Sequence, residues 1–274
     1  MQPAPLDIQK TGAIATVRFA HAPMNLLDMP LSAALDAATR ALAEDNAIRV
    51  IVFESAVPDY FLSHADMRLL QAARDGGFYA NTEELGFFTQ VLERLRTMPK
   101  ATIGKIRGRA RGGGAEFVLA LDMAFASPMA RFSQMEILLG INPGGGGAQY
   151  LARKAGRSRA LELCLGGGDV AGELAVAYGY ANRIVPDAEL DAFVDDLAQR
   201  IASFPADAIA RNKANILAAE SDPRAGLLEA GRAFSALVGS AEFDRRVGAF
   251  LASGGQTPAG ELGDLATLSG KLGS

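Results

Sequence analysis

A chain of 274 residues, 49% of them apolar, can bury one large core or two modest ones. Its net charge of -4 is spread without blocks of like charge, which speaks against a nucleic-acid surface or a polybasic membrane anchor. The longest apolar runs, such as Phe117 to Leu121, end at charges well short of the roughly 20 residues that span a bilayer, so neither nucleic acid nor membrane is an expected partner.

Ala13 to Phe19 alternates, with Ala15, Val17 and Phe19 on one face and Thr16 and Arg18 on the other, as a half-buried strand does. Asp28 then caps a helix in which Leu31, Ala34, Leu35, Ala38 and Leu42 form one stripe. Ile48 to Glu54 carries the run Val50-Ile51-Val52-Phe53, the pattern of a strand covered on both faces. Ala56 to Thr82 reads as irregular. Leu85, Phe88, Leu92 and Leu95 trace a second helical stripe that stops before Pro99.

Ala101 to Arg107 reads as a strand, Gly112-Gly113-Gly114 as a tight turn, and Ala115 to Leu121 as a buried helix. Short strands near Met123 to Ala126 and Ala130 to Phe132 lead to Pro143 and four glycines, then another helix. From Asp187 the strands cease. Leu190, Phe193, Val194, Leu197, Ile201 and Phe204 make an amphipathic stripe that needs a partner surface, and Pro205 opens the next helix. The expected organisation is an α/β core over residues 1–186 and a helical region over 187–274.

The chain has one cysteine, Cys164, and two histidines, His21 and His64, too few for a zinc site built from those residues. No disulfide can form within the chain, and the first ten residues lack a basic start and an apolar signal core, so a reducing cytoplasm is the expected compartment. The chemistry must rest on carboxylates and backbone amides. The most informative segment is Arg107 to Glu116, a strand that passes through glycines into a helix start. Free N-H groups and a partial positive charge there suit an anion or a polarised carbonyl oxygen, and glycine permits close approach. A purely structural glycine turn fits that segment equally well. Dinucleotide and phosphate-loop readings fail, because Phe117 stands where a third fingerprint glycine belongs and no Gly-x-x-x-x-Gly-Lys-Ser/Thr string occurs.

Four ordered motifs carry a resemblance. Pro23-Met24-Asn25-Leu26-Leu27-Asp28 is similar to an Asn-Ala-Leu-Asn loop, and Tyr60-Phe61-Leu62-Ser63-His64-Ala65-Asp66-Met67 to Phe-Ser-Ala-Gly-Ala-Asp-Leu. Gly112 to Glu116 with Leu121-Asp122 is the third, and Phe132 to Gly144, containing Glu136, the fourth. Together they resemble the enoyl-CoA hydratase/isomerase (crotonase) superfamily from about Ile14 to at least Pro205. The resemblance implies an α/β spiral of repeated ββα units with a helical C-terminal region that forms trimers and often hexamers.

By the same resemblance, the N-H groups of Ala65 and Gly113 form an oxyanion hole for a thioester carbonyl, and Glu116 and Glu136 are the catalytic carboxylates. Asn25, Leu26, Ser63, His64, Asp66, Gly112, Pro143 and Gly144 are the expected substrate-binding positions. The implied partner is an acyl-CoA thioester, with coenzyme A as part of the substrate and no separate cofactor or metal. The expected reaction is hydration of a 2-enoyl-CoA. Isomerisation through Glu136 alone, hydrolysis or decarboxylation, and acyl-CoA binding without catalysis remain alternatives.

Three departures from the family pattern stand out: His64, Asp59 and the absence of a C-terminal Lys/Arg-Pro signature near Ala252 to Thr257. His64 occupies a place usually held by glycine, adding an imidazole to the oxyanion loop. Ser63, His64 and Asp66 supply triad residue types but lie too close along the chain to stack in order. Asp59 stands where a phosphate-binding lysine is common, with Arg211 and Lys213 as candidate substitutes, and Phe78, Tyr79, Phe87 and Phe88 are candidate acyl-cavity aromatics.

Overall fold

The computed structural model of the chain describes residues 4–77 and 83–265. Six strands form the larger sheet: β1 (Leu6–Thr11), β2 (Ile14–Phe19), β3 (Val50–Ser55), then β5 (Ala101–Ile106), β7 (Met123–Ala126) and β9 (Arg183–Ile184), in that order. Only the β1/β2 pair is antiparallel. The smaller sheet is parallel and holds β4 (Tyr60–Leu62), β6 (Arg109–Arg111) and β8 (Arg131–Ser133).

After the β1/β2 hairpin, which lies wholly in the larger sheet, each of three successive turns of the chain contributes one strand to each sheet before entering a helix. β3 and β4 precede α2 (Met67–Asp75), which follows α1 (Met29–Glu44). After α3 (Phe87–Thr97), β5 and β6 lead into α4 (Gly113–Ala120). β7 and β8 lead through a 3-10 turn (Met135–Leu139) to α5 (Gly147–Lys154). This is the expected spiral of ββα units.

Within the larger sheet β3 is covered on both faces, which explains its unbroken apolar run. On one side a cluster of Phe19, Phe53, Phe61 and Phe117 packs edge to face, with the Phe53 and Phe117 centroids 5.0 Å apart. On the other side lies α8 (Asp187–Ala202), which follows α6 (Arg157–Gly166) and α7 (Gly172–Ala177). Its Leu190, Val194 and Ala198 pack on Val50, Val52, Ile103 and Phe125. The stripe beginning at Leu190 thus finds its partner in its own sheet, although Phe204, past the helix end, is half exposed.

The remaining helices are α9 (Ala206–Ala218), α10 (Arg224–Val238), α11 (Ala241–Ala252) and α12 (Pro258–Glu261). Val238, Phe243, Val247 and Phe250 share a second core with Met67, Leu70 and the apolar residues of the 3-10 turn. Among the described residues no helix is long and apolar enough to cross a membrane.

The structure corrects three expectations about elements. Ala56 to Thr82 is not irregular throughout, since it contains β4 and α2; a three-residue strand is too short to show a period, and α2 is capped by Asp66 accepting from Arg68 N. Gly113 and Gly114 lie inside α4 rather than in a turn before it. The strands β1 and β6 were also missed, β1 because its mostly exposed face carries little apolar patterning.

Candidate active site

β4 and β6 lie side by side, so the loop after β4 meets the glycines that follow β6. Gly112 has φ +53°, and a Cβ there would stand 2.8 Å from His64 Cβ. At Gly114 a Cβ would fall 1.8 Å from the Leu62 carbonyl oxygen. These glycines are therefore needed for close backbone approach as well as conformation. The loop after β4 is held on one edge by Leu27, whose N-H donates to His64 O (3.1 Å) and whose carbonyl accepts from Asp66 N (3.0 Å). The N-H of Ala65 and that of Gly113, first residue of α4, have no acceptor among the described residues.

A cavity of about 220 Å³ opens beside this junction, and its walls are mostly apolar. Of the residues singled out in the sequence, His64, Ala65, Gly112, Glu116, Glu136 and Gly144 line it, together with Phe87 and Phe88. Gly113 follows directly on the lining residue Gly112, so the peptide joining them carries the Gly113 N-H. Phe78 and Tyr79 lie outside the described residues.

Other expected substrate contacts fall elsewhere. Asn25 is fully buried, with Nδ2 donating to Ser55 Oγ (2.8 Å) and Phe61 O (2.9 Å) and Oδ1 accepting from His21 N (2.9 Å). It shapes the loop and has no polar atom to spare for substrate. Ser63 Oγ donates to Met24 O at 2.6 Å, and Asp66 accepts from Arg68 N and Gln256 Nε2. Neither lines the cavity, nor do Leu26 and Pro143. Lys213 donates to Leu95 O, Lys100 O and Asp122, and neither it nor Arg211 borders this cavity.

The two carboxylates are built differently. Glu116, in the first turn of α4, is buried, and its Oε1 accepts from Gly145 N (2.9 Å) and Gly147 N (2.8 Å). Burial pushes its pKa up while these N-H groups oppose the rise. Glu136, in the 3-10 turn, is buried with Oε2 unpartnered among the described residues. Burial first, and then the charge of Glu116, hold its proton far above the usual carboxylate range. A pair of this kind ionises in sequence. Glu116, with two N-H donors, is the one that carries the charge, and Glu136 the one that keeps the proton.

Sequence reasoning missed several contributors. The backbone N-H groups of Gly145 and Gly147 hold Glu116, and the run of four glycines was their signal, since a Cβ on Gly145 would lie 2.8 Å from Glu116 Oε2. Leu228, Gly231 and Phe234 of α10 close the cavity from the C-terminal side. Glu261 and Arg111, which surround His64, had no local signal because they are far apart in the chain.

A ββα spiral that brings two unlike buried carboxylates and free peptide N-H groups to one apolar cavity defines a protein of the crotonase type. The enoyl-CoA hydratase/isomerase family matches residues 9–251, and the chain belongs to that family. It is 32% identical over 232 residues to a probable enoyl-CoA hydratase of Rhizobium meliloti, covering 84% of this chain and 87% of the relative. A short-chain-enoyl-CoA hydratase of Clostridium acetobutylicum is 28% identical over 202 residues, 72% of this chain and 74% of that one. Among solved structures, a provisionally assigned enoyl-CoA hydratase from Streptomyces avermitilis superposes with a TM-score of 0.90 at 38% identity, covering 98% of both chains.

Proposed function

We propose that the protein adds water across the double bond of a 2-enoyl-CoA thioester. The observation that carries this reading is the asymmetry of the two cavity carboxylates, one hydrogen-bonded by two peptide N-H groups and the other buried with a free oxygen. Ionised Glu116 holds a water and takes its proton as the oxygen attacks the β-carbon. The double-bond electrons move onto the thioester oxygen, and the resulting enolate is stabilised by the N-H groups of Ala65 and Gly113. Protonated Glu136 then delivers its proton to the α-carbon. Two preorganised donors in a dry site suit this step, since losing one such donor elsewhere costs about 3 to 4 kcal/mol in the barrier.

Hydratases among the chain's relatives support the substrate class. The apolar walls of the cavity suit an acyl group, and coenzyme A enters as part of the substrate. A panel of 2-enoyl-CoA and 3-enoyl-CoA thioesters, with products read by mass spectrometry, tests the proposal. Gain of one water by 2-enoyl substrates is expected. Double-bond migration without mass change would replace hydration by isomerisation, release of free coenzyme A would replace it by hydrolysis, and binding without turnover would remove the catalytic reading.

A further inference from the structure

His64 is almost fully buried, and both of its ring nitrogens face acceptors. Nδ1 lies 2.8 Å from the Ala65 carbonyl oxygen, and Nε2 lies 2.8 Å from Glu261 Oε1. A carbonyl oxygen and an ionised carboxylate only accept, so this geometry requires a proton on each nitrogen. Glu261 is kept ionised. Burial alone would raise its pKa, but the charge and hydrogen bond of His64, the N-H of Gln256 (3.1 Å) and Arg111 (Nη1 to Oε2 3.4 Å) bring it down to about 2. Burial likewise works against the imidazolium, and Glu261 outweighs it, so the His64 pKa is raised.

The other groups around the pair are accounted for. Arg111 opposes the charge on His64 but is itself tied to Asp169, with Nε to Oδ1 at 2.9 Å. Phe250 of α11 packs edge-on against the imidazole, with centroids 5.6 Å apart. Tyr60 feels the charge of Glu261 while its hydroxyl donates to Pro258 O. The same C-terminal segment reaches the oxyanion loop a second time, where Gln256 Oε1 accepts from Met67 N (2.8 Å) and Nε2 donates to Asp66 Oδ1 (2.9 Å).

We propose that His64 is a positioning residue: as an imidazolium bonded at both nitrogens, it fixes the Ala65–Asp66 peptide through the Ala65 carbonyl, next to the peptide that carries the Ala65 N-H, and, through Glu261, makes residues 256–261 part of the active-site frame. Leu27 holds both peptides that meet at Ala65, through the His64 carbonyl and the Asp66 N-H, and His64 holds the Ala65 carbonyl, so of the groups on these two peptides the Ala65 N-H is the one left free for substrate. A glycine at position 64 could supply neither bond. The catalytic consequence rests on the reading of Ala65 N-H as an oxyanion donor.

Two substitutions separate the two bonds. The amide of His64→Asn reaches where Nδ1 lies and can still donate to Ala65 O, whereas that of His64→Gln reaches where Nε2 lies and keeps only the Glu261 contact. For 2-enoyl-CoA hydration, His64→Gln should lower kcat by about 10- to 100-fold, below the roughly 100- to 1000-fold typical of deleting an oxyanion donor, with KM within about 3-fold. His64→Asn should retain at least about 3-fold more kcat than His64→Gln. Equal losses in both, or no loss in His64→Gln, would overturn the proposal.

Amide hydrogen exchange over residues 62–66 supplies a second readout that needs no turnover. Exchange should quicken in His64→Gln and stay near the parent rate in His64→Asn; any other pattern sinks the positioning role. If exchange behaves as expected while no form of the protein hydrates any thioester, the hydratase reading fails and the positioning of the loop stands. Should His64→Gln not fold, nitrogen-15 NMR of the unaltered protein decides, because the chain has only His21 and His64. His64→Asn assigns the signal by removing it. Both ring nitrogens of His64 must be protonated at pH 8, and a neutral imidazole there overturns the proposal.

Discussion

Replacing Glu116 with Gln removes a charge while leaving the shape of the site almost unchanged. The amide oxygen can take the place of Oε1 and keep both bonds from Gly145 and Gly147, at 2.9 and 2.8 Å, so the loop of glycines should hold its position. What disappears is the base that receives the water proton. A positioned general base contributes about 100- to 10,000-fold, or about 3 to 5 kcal/mol in the barrier, and kcat should fall by that amount. KM should move little, since the apolar cavity wall is untouched. A second effect follows from the pair. The charge of Glu116 helps hold the proton on Glu136, so in Glu116→Gln the remaining activity should lose its acid at a lower pH than in the parent. The assay is loss of the conjugated enoyl-thioester absorbance across a pH series, with thermal melting as the control for folding. Turnover within about 5-fold of the parent in a folded variant would refute the base assignment.

Glu136→Gln tests the acid and carries a stability signature. The folded pKa of Glu136 is raised, so its contribution to stability is fully present below its unfolded value near 4.5 and is lost as pH rises through the folded value. The parent should therefore lose more melting temperature than Glu136→Gln between pH 5 and 9, by about 3 to 5 °C for each tenfold tightening of proton binding; parallel losses would contradict the buried, protonated carboxyl. Asn25→Ala removes the side-chain hydrogen bonds of a fully buried residue at φ +50° and should cost about 2 to 4 kcal/mol, read as a melting drop of about 4 to 15 °C, with turnover at low temperature preserved. A raised KM at unchanged melting temperature would instead return Asn25 to the substrate. Finally, none of the residues of α9 is fully buried and Ile216 is 68% exposed, which supports the trimer or hexamer implied by the family resemblance; light scattering that finds a monomer at micromolar concentration removes it.

Local order along the chain determined much of this protein. The alternation of Ala15, Val17 and Phe19, the stripe of α1 with its Asp28 cap, and the apolar run of β3 each report a surface that repeats with the backbone's own period, and all three appear where that period places them. Glu116 and Glu136 were legible for a different reason: each sits in a short ordered motif, and both line one cavity. The three-residue strands β4 and β6 were not legible, because three residues cannot display a period, yet they bring the His64 loop against Gly112.

Tertiary structure alone decided which polar residues are spent on the frame and which face the cavity. Ser63 and Asp66 stand in the same motif as Ala65, and Asn25 in the motif before it, but their hydrogen bonds are used up in holding the loops. The protonation order of the two glutamates depends on Gly145 and Gly147, which lie 29 and 31 residues along the chain from Glu116. His64 is paired with Glu261, 197 residues away. A one-dimensional pattern records which side chains share a helix face or a strand face, whereas burial, hydrogen-bond partners and charge pairing depend on distances that exist only after the spiral closes and α10 to α12 fold back over it.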